Sequence, residues 1–420
     1  MSLLDIFPNE ILLIIFNLCD VYSLLQLRRV CKKLDVISRE VLDKKSNHLL
    51  VTNQMSEKFR ERCKPLLSSY NSKFLMHYNW KFGIACRLSI DTLPKVYNEN
   101  MTARRMNERC LKMTKNTIWF YDKNVLSACN RAEDGSIAQN KIHRTVNSQF
   151  SSIAYCNDII ISGHVDGSIR LWRFESQNNI NNLQQLKAHS NVHGKHVSNI
   201  EATTQHIISS SSNLIKIQKN TLENDDFAEE NETIYSGKKL IQSISLNPTG
   251  TNVAASTEES LLIYDINKNC EAMNKRINDN TCSHLLWDDT HTILMLYKKC
   301  IKKMDIRTSE FVRTWNASFP NKKCELCCFS SDNLYSIITG TNIGTIILWD
   351  QRISDYIQTY GISRNYRYDC VIMNPVFSVQ FDSTHMYAIT LNEGVFEYNF
   401  WRKDYYNRAK KRKEYFSNFI

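Results

Sequence analysis

Apolar and polar residues alternate in short runs over most of the chain after residue 112. The clearest example is residues 324–352, CELCCFSSDNLYSIITGTNIGTIILWDQR. Runs of four to eight apolar residues broken by Asn, Asp, Gly and Ser are typical of short antiparallel strands. No helical period fits this stretch. It therefore predicts three strands, at residues 324–330, 334–339 and 345–349.

The same unit recurs along the chain. Its third strand ends in an apolar run before Asp350, and similar runs lie at residues 169–172, 215–218, 261–265, 301–305 and 395–399, successive runs being 40 to 49 residues apart. Propeller blades repeat about every 40–45 residues, and a single blade cannot bury its own faces. A weaker seventh unit at residues 117–140 brings the predicted count to seven blades, with six as the alternative.

Each of the other units also begins with a pair of side chains two positions apart, such as Ile153 and Tyr155, or Ile244 and Leu246. A period of two places both members on one face of a strand, as the innermost strand of a blade requires. Sheets arranged in a ring leave only short strand edges exposed, which limits edge-to-edge aggregation.

The first forty residues follow a helical pattern instead. Pro8 suits the first turn of a helix, Glu10 lies near the positive end of that helix, and Ser23 is predicted to cap the next one. The apolar residues between Ile11 and Ile37 cover more than one helix face. Because so short a segment cannot bury all of them alone, we expect part of this surface to meet another protein.

These apolar positions follow the spacing LPxEL, IF, L, L, L, VC, W, with Phe7 in place of the first Leu and Leu34 in place of the Trp. In this the segment resembles the F-box. The resemblance implies docking onto a Skp-type adaptor and, through it, a cullin-RING ubiquitin ligase. The adaptor-binding residues that it implies are Phe7, Pro8, Glu10, Ile11, Ile15, Phe16, Leu18, Leu24, Leu27, Val30 and Cys31. The alternative is an ordinary three-helix subdomain packed on its own protein.

The repeats resemble WD repeats, in which the third strand ends in Trp-Asp. Only Trp172 and Trp349 keep the Trp, so most blades lack the usual Trp, Ser, His and Asp hydrogen-bond network. In the second blade, Ser162, Asp166 and Trp172 are predicted to supply three of its members. We therefore expect most blades to depend on apolar packing.

Helices of the F-box type followed by degenerate repeats resemble the F-box/WD-repeat proteins. The Asn-Trp pair at residues 79–80, LWDQR at 348–352 and PVFSVQF at 375–381 make the chain most similar to the dactylin branch. The predicted fold is an N-terminal α-helical F-box at residues 1–40, a helical linker at 41–111, an all-β WD-repeat propeller at 112–400 and a basic tail at 401–420.

The resemblance implies a non-catalytic subunit that recruits an unknown protein substrate to the ligase. We expect the substrate to bind the propeller face formed by the loops that enter each first strand and the turns that precede each third strand. The residues predicted on that face are His164, Asp166, His196, Lys239, Lys299, Lys323 and Asn342.

Composition and charge indicate the cellular compartment and the classes of partner. The 420 residues are 42% hydrophobic and carry a formal charge of +10, part of it in the run at 410–413. No run approaches the roughly 18 apolar residues of a membrane span, and the N-terminus lacks the basic start of a secretory signal. We expect a soluble protein of the cytoplasm and/or nucleus, with reduced cysteines and no membrane partner. The alternatives are a scaffold without ligase function and a nucleic-acid-associated propeller, although one basic run does not by itself make a nucleic-acid binder.

The cysteines at residues 324, 327 and 328 are candidates for a zinc-binding site. Two thiolates at CxxC spacing commonly share a metal, but Cys324, Cys327 and Cys328 lie on a predicted strand with no second Cys or His pair nearby. We expect them to pack in the core. No nucleotide-binding or nucleophile motif is present, so no metal, cofactor or catalytic residue is expected.

Two loops carry clustered charges or imidazoles. His189, His193 and His196 precede the third blade and are expected to be loop or network residues rather than metal ligands. The acidic residues within 220–232 are expected to form a solvated loop between the third and fourth blades, with docking of a basic substrate as the alternative.

Overall fold

Helices precede a ring of antiparallel sheets. The computed structural model describes residues 7–91, 109–177, 180–190, 192–220, 232–277, 281–317, 324–361, 374–391 and 394–401. These residues form five α-helices and seven four-stranded sheets. Residues 402–420 of the predicted basic tail, and Lys323, lie outside the described residues. None of the helices in the described ranges is long and apolar enough to cross a membrane.

The helices are α1 (Asn9–Leu18), α2 (Val21–Leu27), α3 (Lys32–Ser46), α4 (Glu57–Arg60) and α5 (Tyr70–Lys81). Two capping predictions need correction. Pro8 is the N-cap of α1 rather than part of its first turn. The cap of α2 is Asp20, whose carboxylate accepts a hydrogen bond from the Ser23 backbone at 2.6 Å, because an Asp three residues before a free N–H reaches it directly.

Six of the seven blades are built from consecutive strands. Blade 1 contains β2 (Arg109–Met113), β3 (Thr117–Asp122), β4 (Val125–Arg131) and β5 (Ile137–Thr145). Blade 2 contains β6 (Phe150–Cys156), β7 (Ile159–His164), β8 (Ile169–Gln177) and β9 (Ile180–His189). Blade 3 contains β10 (Asn199–Ala202), β11 (His206–Ser211), β12 (Leu214–Lys219) and β13 (Glu232–Ser236).

Blade 4 contains β14 (Ile241–Leu246), β15 (Asn252–Thr257), β16 (Ser260–Asp265) and β17 (Cys270–Arg276). Blade 5 contains β18 (His284–Trp287), β19 (Thr292–Leu296), β20 (Cys300–Asp305) and β21 (Glu310–Asn316). Blade 6 contains β22 (Leu326–Ser331), β23 (Ser336–Thr341), β24 (Thr345–Asp350) and β25 (Tyr356–Gly361).

Blade 7 closes the ring with a strand from the other end of the chain. It contains β26 (Val376–Phe381), β27 (His385–Thr390) and β28 (Gly394–Asn399), and its fourth strand is β1 (Cys86–Asp91). Strand β1 pairs antiparallel with β28, from Cys86 opposite Asn399 to Asp91 opposite Val395. The expectation of helices alone across residues 41–111 is therefore wrong, since β1 and the start of β2 belong to the propeller.

The predicted count of seven blades is confirmed, and six is excluded. The recurring apolar runs are the third strands of their blades, and the pairs two positions apart lie on the innermost strands. Large side chains fill the spaces within and between the blades, with Trp119, Trp172, Trp287, Trp315 and Trp349 all fully buried. The predicted position of the acidic loop is wrong. Residues 220–231 join β12 to β13 within blade 3 and do not connect the third blade to the fourth. Most of that acidic loop is outside the described residues.

A buried acid lies where blade 7 meets blade 1. The Glu397 side chain is 2% exposed, and its Oε1 is 3.4 Å from His385 Nε2. Burial raises the pKa of Glu397 to about 7 and lowers the pKa of His385 to about 4. The fold therefore favours a neutral acid beside a neutral imidazole.

We expect Glu397→Gln to gain stability relative to wild type as the pH rises. The unfolded carboxyl ionises near 4.5 and the folded one near 7, so the wild-type free energy of unfolding falls between these pH values. Glutamine does not ionise, so the variant does not lose stability in this way. Above pH 7 its gain in unfolding free energy relative to wild type, compared with the gain below pH 4.5, approaches about 3 kcal/mol. Chemical denaturation at pH 5 and pH 8 measures it. An equal difference at the two pH values would contradict an ionising Glu397.

Candidate protein-docking surfaces

Helix α1 has one buried face and one exposed apolar face. Leu12 and Phe16, one turn apart, are buried in a core formed with α2 and α3. The opposite face presents a row at the spacing i, i+3, i+4 and i+7, with exposed fractions of 42%, 61%, 43% and 85% for Ile11, Ile14, Ile15 and Leu18. A soluble helix usually covers such a row, so this face is a candidate protein-binding surface.

The helices contact the propeller on the face that carries the turns between first and second strands, which we call the helical face. The Val51 backbone N–H donates to Ser336 Oγ at 2.8 Å in blade 6. Trp80 Nε1 donates to the Ser383 carbonyl at 3.0 Å in blade 7. Lys64 Nζ donates to Asn116 Oδ1 at 3.0 Å in blade 1. The segment after α3 thus covers the ring where it closes.

Arg62 joins three blades at this closure. Its guanidinium donates to the Ser331 carbonyl of blade 6 at 2.7 Å and to Gln380 Oε1 of blade 7 at 3.0 Å. Its own carbonyl accepts a hydrogen bond from Arg131 of blade 1 at 2.8 Å. Ser331 and Gln380 lie on the innermost strands of blades 6 and 7, and Arg131 lies at the end of the third strand of blade 1. Arg62 therefore connects the helices to the three blades at which the ring closes.

The chain resembles known proteins in two separate regions. Its fold is similar to the WD40 β-propeller domain of Doa1, with a TM-score of 0.51, 11% sequence identity, and coverage of 69% of this chain and 91% of that one. Comparison with functionally curated proteins finds no match. Residues 4–34 match the family model described as the F-box domain. The chain combines an F-box with a WD40-type propeller.

Most residues that the F-box resemblance assigned to the adaptor are accessible. Exposed among them are Phe7, Pro8, Glu10, Ile11, Ile15, Leu18, Val30 and Cys31, while Leu27 is half-buried. Two assignments need correction, because Phe16 and Leu24 are 3% and 0% exposed and support the F-box surface from beneath. Ile14 and Val36 are not among the predicted adaptor residues, yet they are 61% and 65% exposed on the same helices. The spacing i, i+3, i+4 from Ile11 was the signal for Ile14.

Of the residues predicted to bind substrate, the six that the structure describes lie on one face of the propeller, opposite the helical face. Asp166, His196, Lys239 and Lys299 lie in its loops and turns and are exposed. Lys239 pairs with Glu259, and Lys299 Nζ donates to the Cys324 carbonyl. These four remain predictions as substrate contacts.

His164 and Asn342 are not available to a substrate. His164 is fully buried, and its Nε2 is 2.9 Å from Ser162 Oγ. Asn342 is 5% exposed, and its Oδ1 accepts the Glu325 backbone N–H at 2.9 Å. Both residues lie where a second strand ends, and side chains at such positions often stabilise the turn rather than face a ligand.

The hydrogen-bond network of blade 2 has a different third member from the one predicted. Trp172 Nε1 donates to Ser162 Oγ at 2.8 Å, and His164 completes the chain. Asp166 instead accepts hydrogen bonds from Ser168 within the turn, at 2.9 Å from its backbone N–H and 2.6 Å from its hydroxyl. Blade 3 keeps a shorter version, in which His193 Nε2 is 2.8 Å from Ser209 Oγ, so His193 is a network residue as expected.

Ser162→Ala is expected to destabilise the propeller by about 1–3 kcal/mol, because the buried Trp172 N–H loses its acceptor. Urea denaturation measures the change. The matched control is Ser136→Ala, which removes only the exposed hydrogen bond to Asp134 and should change stability by less than about 0.5 kcal/mol. Equal effects of the two substitutions would show that the Ser162 network does not stabilise the blade.

Two cysteines of β22, and a third that lies two residues before this strand, are core residues, as predicted. Cys324, Cys327 and Cys328 are all buried, and Cys328 Sγ contacts the Val376 carbonyl at 3.2 Å. Burial raises the pKa of Cys327 to about 12, which disfavours the thiolate form that binds metal. Across the described part of the chain, no group of three or more His, Cys, Asp or Glu residues is placed to hold a metal ion.

Proposed function

We propose that this protein is the non-catalytic substrate-recognition subunit of an SCF-type (Skp–cullin–F-box) ubiquitin ligase. The observation that carries the proposal is the exposed row of Ile11, Ile14, Ile15 and Leu18 on α1, within the segment that matches the F-box. Burying four large apolar side chains against a partner is worth several kcal/mol. A Skp-type adaptor is the partner that the F-box implies.

In this proposal the helices bind the adaptor and the propeller binds the substrate. The helices lie on one face of the ring, and the exposed residues Asp166, His196 and Lys239 lie on the opposite face. We assign the substrate to that opposite face. Holding a substrate at a set position beside a ubiquitin-loaded enzyme accelerates transfer by proximity alone, so the chain itself needs no catalytic residue.

Substrate capture tests the propeller half of the proposal. Proximity labelling in cells with the proteasome blocked should enrich a set of proteins that become ubiquitinated when the chain is present. The variant Asp166→Ala, His196→Ala, Lys239→Ala should lose this set, whereas Cys270→Ser, an exposed substitution on the outer strand of blade 4, should retain it. Labelling that is the same in both variants would contradict the assigned face.

Two finer assignments belong to the same proposal. We place the protein in the cytoplasm and/or nucleus, where the ligase partner implied by the F-box would be met. We also propose kinship with the dactylin branch, supported by Asn79 and Trp80 and by the LWDQR run at residues 348–352. In the fold these residues lie at the contact between helices and propeller, since Asn79 Nδ2 donates to the Phe400 carbonyl at 2.8 Å and Arg352 Nη1 to the His48 carbonyl at 2.8 Å.

A further inference from the structure

Two buried side chains of blade 7, Glu397 of β28 and His385 of β27, face each other. Their side chains are 2% and 0% exposed, and Glu397 Oε1 is 3.4 Å from His385 Nε2. Within the described part of the chain, neither of these two atoms has a hydrogen-bond partner. A carboxylate oxygen and an unprotonated ring nitrogen are both acceptors, so they cannot bond to each other. One proton between them satisfies both atoms and removes the cost of leaving two buried polar groups unpaired.

The other ring nitrogen of His385 indicates which side chain carries that proton. His385 Nδ1 is 2.8 Å from Thr384 Oγ1, and Thr384 Oγ1 donates to Asp382 Oδ1 at 3.0 Å. Burial opposes the charge of Asp382, but the Arg131 guanidinium keeps the pKa of this carboxyl below its usual value, so it acts as an acceptor. Because the single hydroxyl proton of Thr384 goes to Asp382, its oxygen accepts from His385 Nδ1–H. Nε2 is then the unprotonated nitrogen, and the proton that it accepts belongs to Glu397.

This chain of hydrogen bonds lies against blade 1. Arg131, at the end of β4, forms a fully buried ion pair with Asp382. Gly135, in the turn after β4, has φ at 87°, and a Cβ there would lie 2.7 Å from His385 Nδ1. Tyr387 Oη donates to the Gly135 carbonyl at 2.6 Å. These five residues form the contact that we call the seam between blades 7 and 1, and a shift of the His385 ring would disturb it.

Several titratable or charged groups face Glu397. They come from β27, from the turn before it and from blade 1, and are His385, Tyr387, Asp382, Arg131 and Asp134. Burial raises the pKa of Glu397 to about 7, which the charges of Asp134 and Asp382 assist and the charge of Arg131 opposes. Burial also lowers the pKa of His385 to about 4 and raises the pKa of Tyr387 well above its usual value. Neither ring therefore changes its charge between about pH 5 and pH 8, the range in which Glu397 ionises.

We propose that one proton, carried by Glu397 and accepted by His385, holds the propeller closed at the seam between blades 7 and 1. When this proton leaves to solvent, the carboxylate faces the lone pair of Nε2, and it gains water only if the seam opens. The proton is bound with a pKa of about 7 in the closed seam and near 4.5 once the carboxyl reaches water. Closure is therefore firm in mild acid, and the equilibrium constant for opening should rise about tenfold for each pH unit between these two values. The proposal does not depend on the proposed function.

Hydrogen exchange of the full chain at several pH values from 5 to 7 tests this device. Exchange rates of the β28 amides, divided by the intrinsic rate at each pH, give the opening constant. In wild type this constant should rise about tenfold per pH unit, whereas that of β15 in blade 4, used as the internal reference, should change less than about twofold. An opening constant of β28 that does not rise, or that rises only in step with β15, would overturn the proposal.

Two variants compare the proton of Glu397 with that of an ordinary carboxyl. In Glu397→Gln the amide N–H can donate to His385 Nε2 and does not ionise, so the opening constant of β28 should be independent of pH. The matched control is Glu258→Gln, which removes an exposed carboxyl from the turn before β16 and should keep the wild-type dependence on pH. The same rise with pH in Glu397→Gln as in wild type would overturn the role of Glu397, and the wild-type series stands without either variant.

Nuclear magnetic resonance of ¹⁵N-histidine-labelled protein at pH 5.5 tests the direction of the hydrogen bonds. The signal of His385, identified by its loss in His385→Gln, should be that of a neutral ring with its proton on Nδ1. Infrared spectroscopy should show the carbonyl band of a protonated carboxylic acid that is absent from Glu397→Gln. A ring protonated on Nε2, or a positively charged ring beside an ionised Glu397, would overturn the assignment of the proton to Glu397.

Discussion

Trp80→Ala is expected to lower the free energy of unfolding of the propeller by about 3–5 kcal/mol, the range for removing a large aromatic side chain from a core. Trp80 lies outside the blades in sequence, yet it is fully buried between blades 6 and 7. The substitution removes its stacking on Phe400 and leaves the Ser383 carbonyl without the indole donor. The effect should be large because blade 7 is the blade that closes the ring. Urea denaturation measures the loss of stability. It should be followed by far-ultraviolet circular dichroism, because the substitution removes a tryptophan and would alter fluorescence.

Phe82→Ala is the matched control for Trp80→Ala. Phe82 follows the same helix but is 53% exposed, so its loss should change the unfolding free energy by less than about 1 kcal/mol. Trp80→Phe should fall between the two, because it keeps an aromatic ring but loses the hydrogen bond to Ser383. If Trp80→Ala and Phe82→Ala unfold at the same urea concentration, the helices do not contribute to ring closure as described.

Ile11→Asp combined with Leu18→Asp is expected to weaken binding of a Skp-type adaptor by about 100-fold or more. Both side chains are exposed, at 42% and 85%, so the F-box helices should fold normally. Docking would bury each new carboxylate against an apolar partner, which costs far more than the lost apolar contact alone. Isothermal titration calorimetry with the purified adaptor measures the change.

The control for this pair is Val312→Asp. Val312 is an apolar residue with 57% exposure on the outer strand of blade 5, outside the F-box. It tests whether any exposed apolar residue contributes to adaptor binding. Affinity within about twofold of wild type is expected for Val312→Asp, and a loss equal to that of the α1 variant would argue for non-specific hydrophobic association.

The strands of the blades could be predicted because each alternates buried and exposed residues around turn residues. Strand β1 could not, although it has the same role in blade 7 as β25 has in blade 6. Its six residues alternate only briefly, and the partner β28 lies at the far end of the chain, so local pattern carries no information about the pairing. The closure of the ring is a property of topology rather than of any local run.

The F-box surface was predicted in position but not in every residue. Phe16 fits the family spacing as well as Ile15 does, yet the helix turns it toward Leu24 and into the core. Spacing identifies which residues are apolar, whereas the packing of α2 and α3 decides which of them stay exposed. The same limit applies to His164, whose place at a strand end did not reveal that Ser162 and Trp172 draw it into the blade.

Size-exclusion chromatography with light scattering, on the purified full chain mixed with a Skp-type adaptor and the N-terminal part of a cullin, tests the central claim most directly. The predicted result is one peak whose mass is the sum of one copy of each component, and its disappearance when the chain carries Ile11→Asp and Leu18→Asp. Elution of the wild-type chain alone, with adaptor and cullin in a separate peak, would contradict the claim that these helices join the propeller to a ubiquitin ligase.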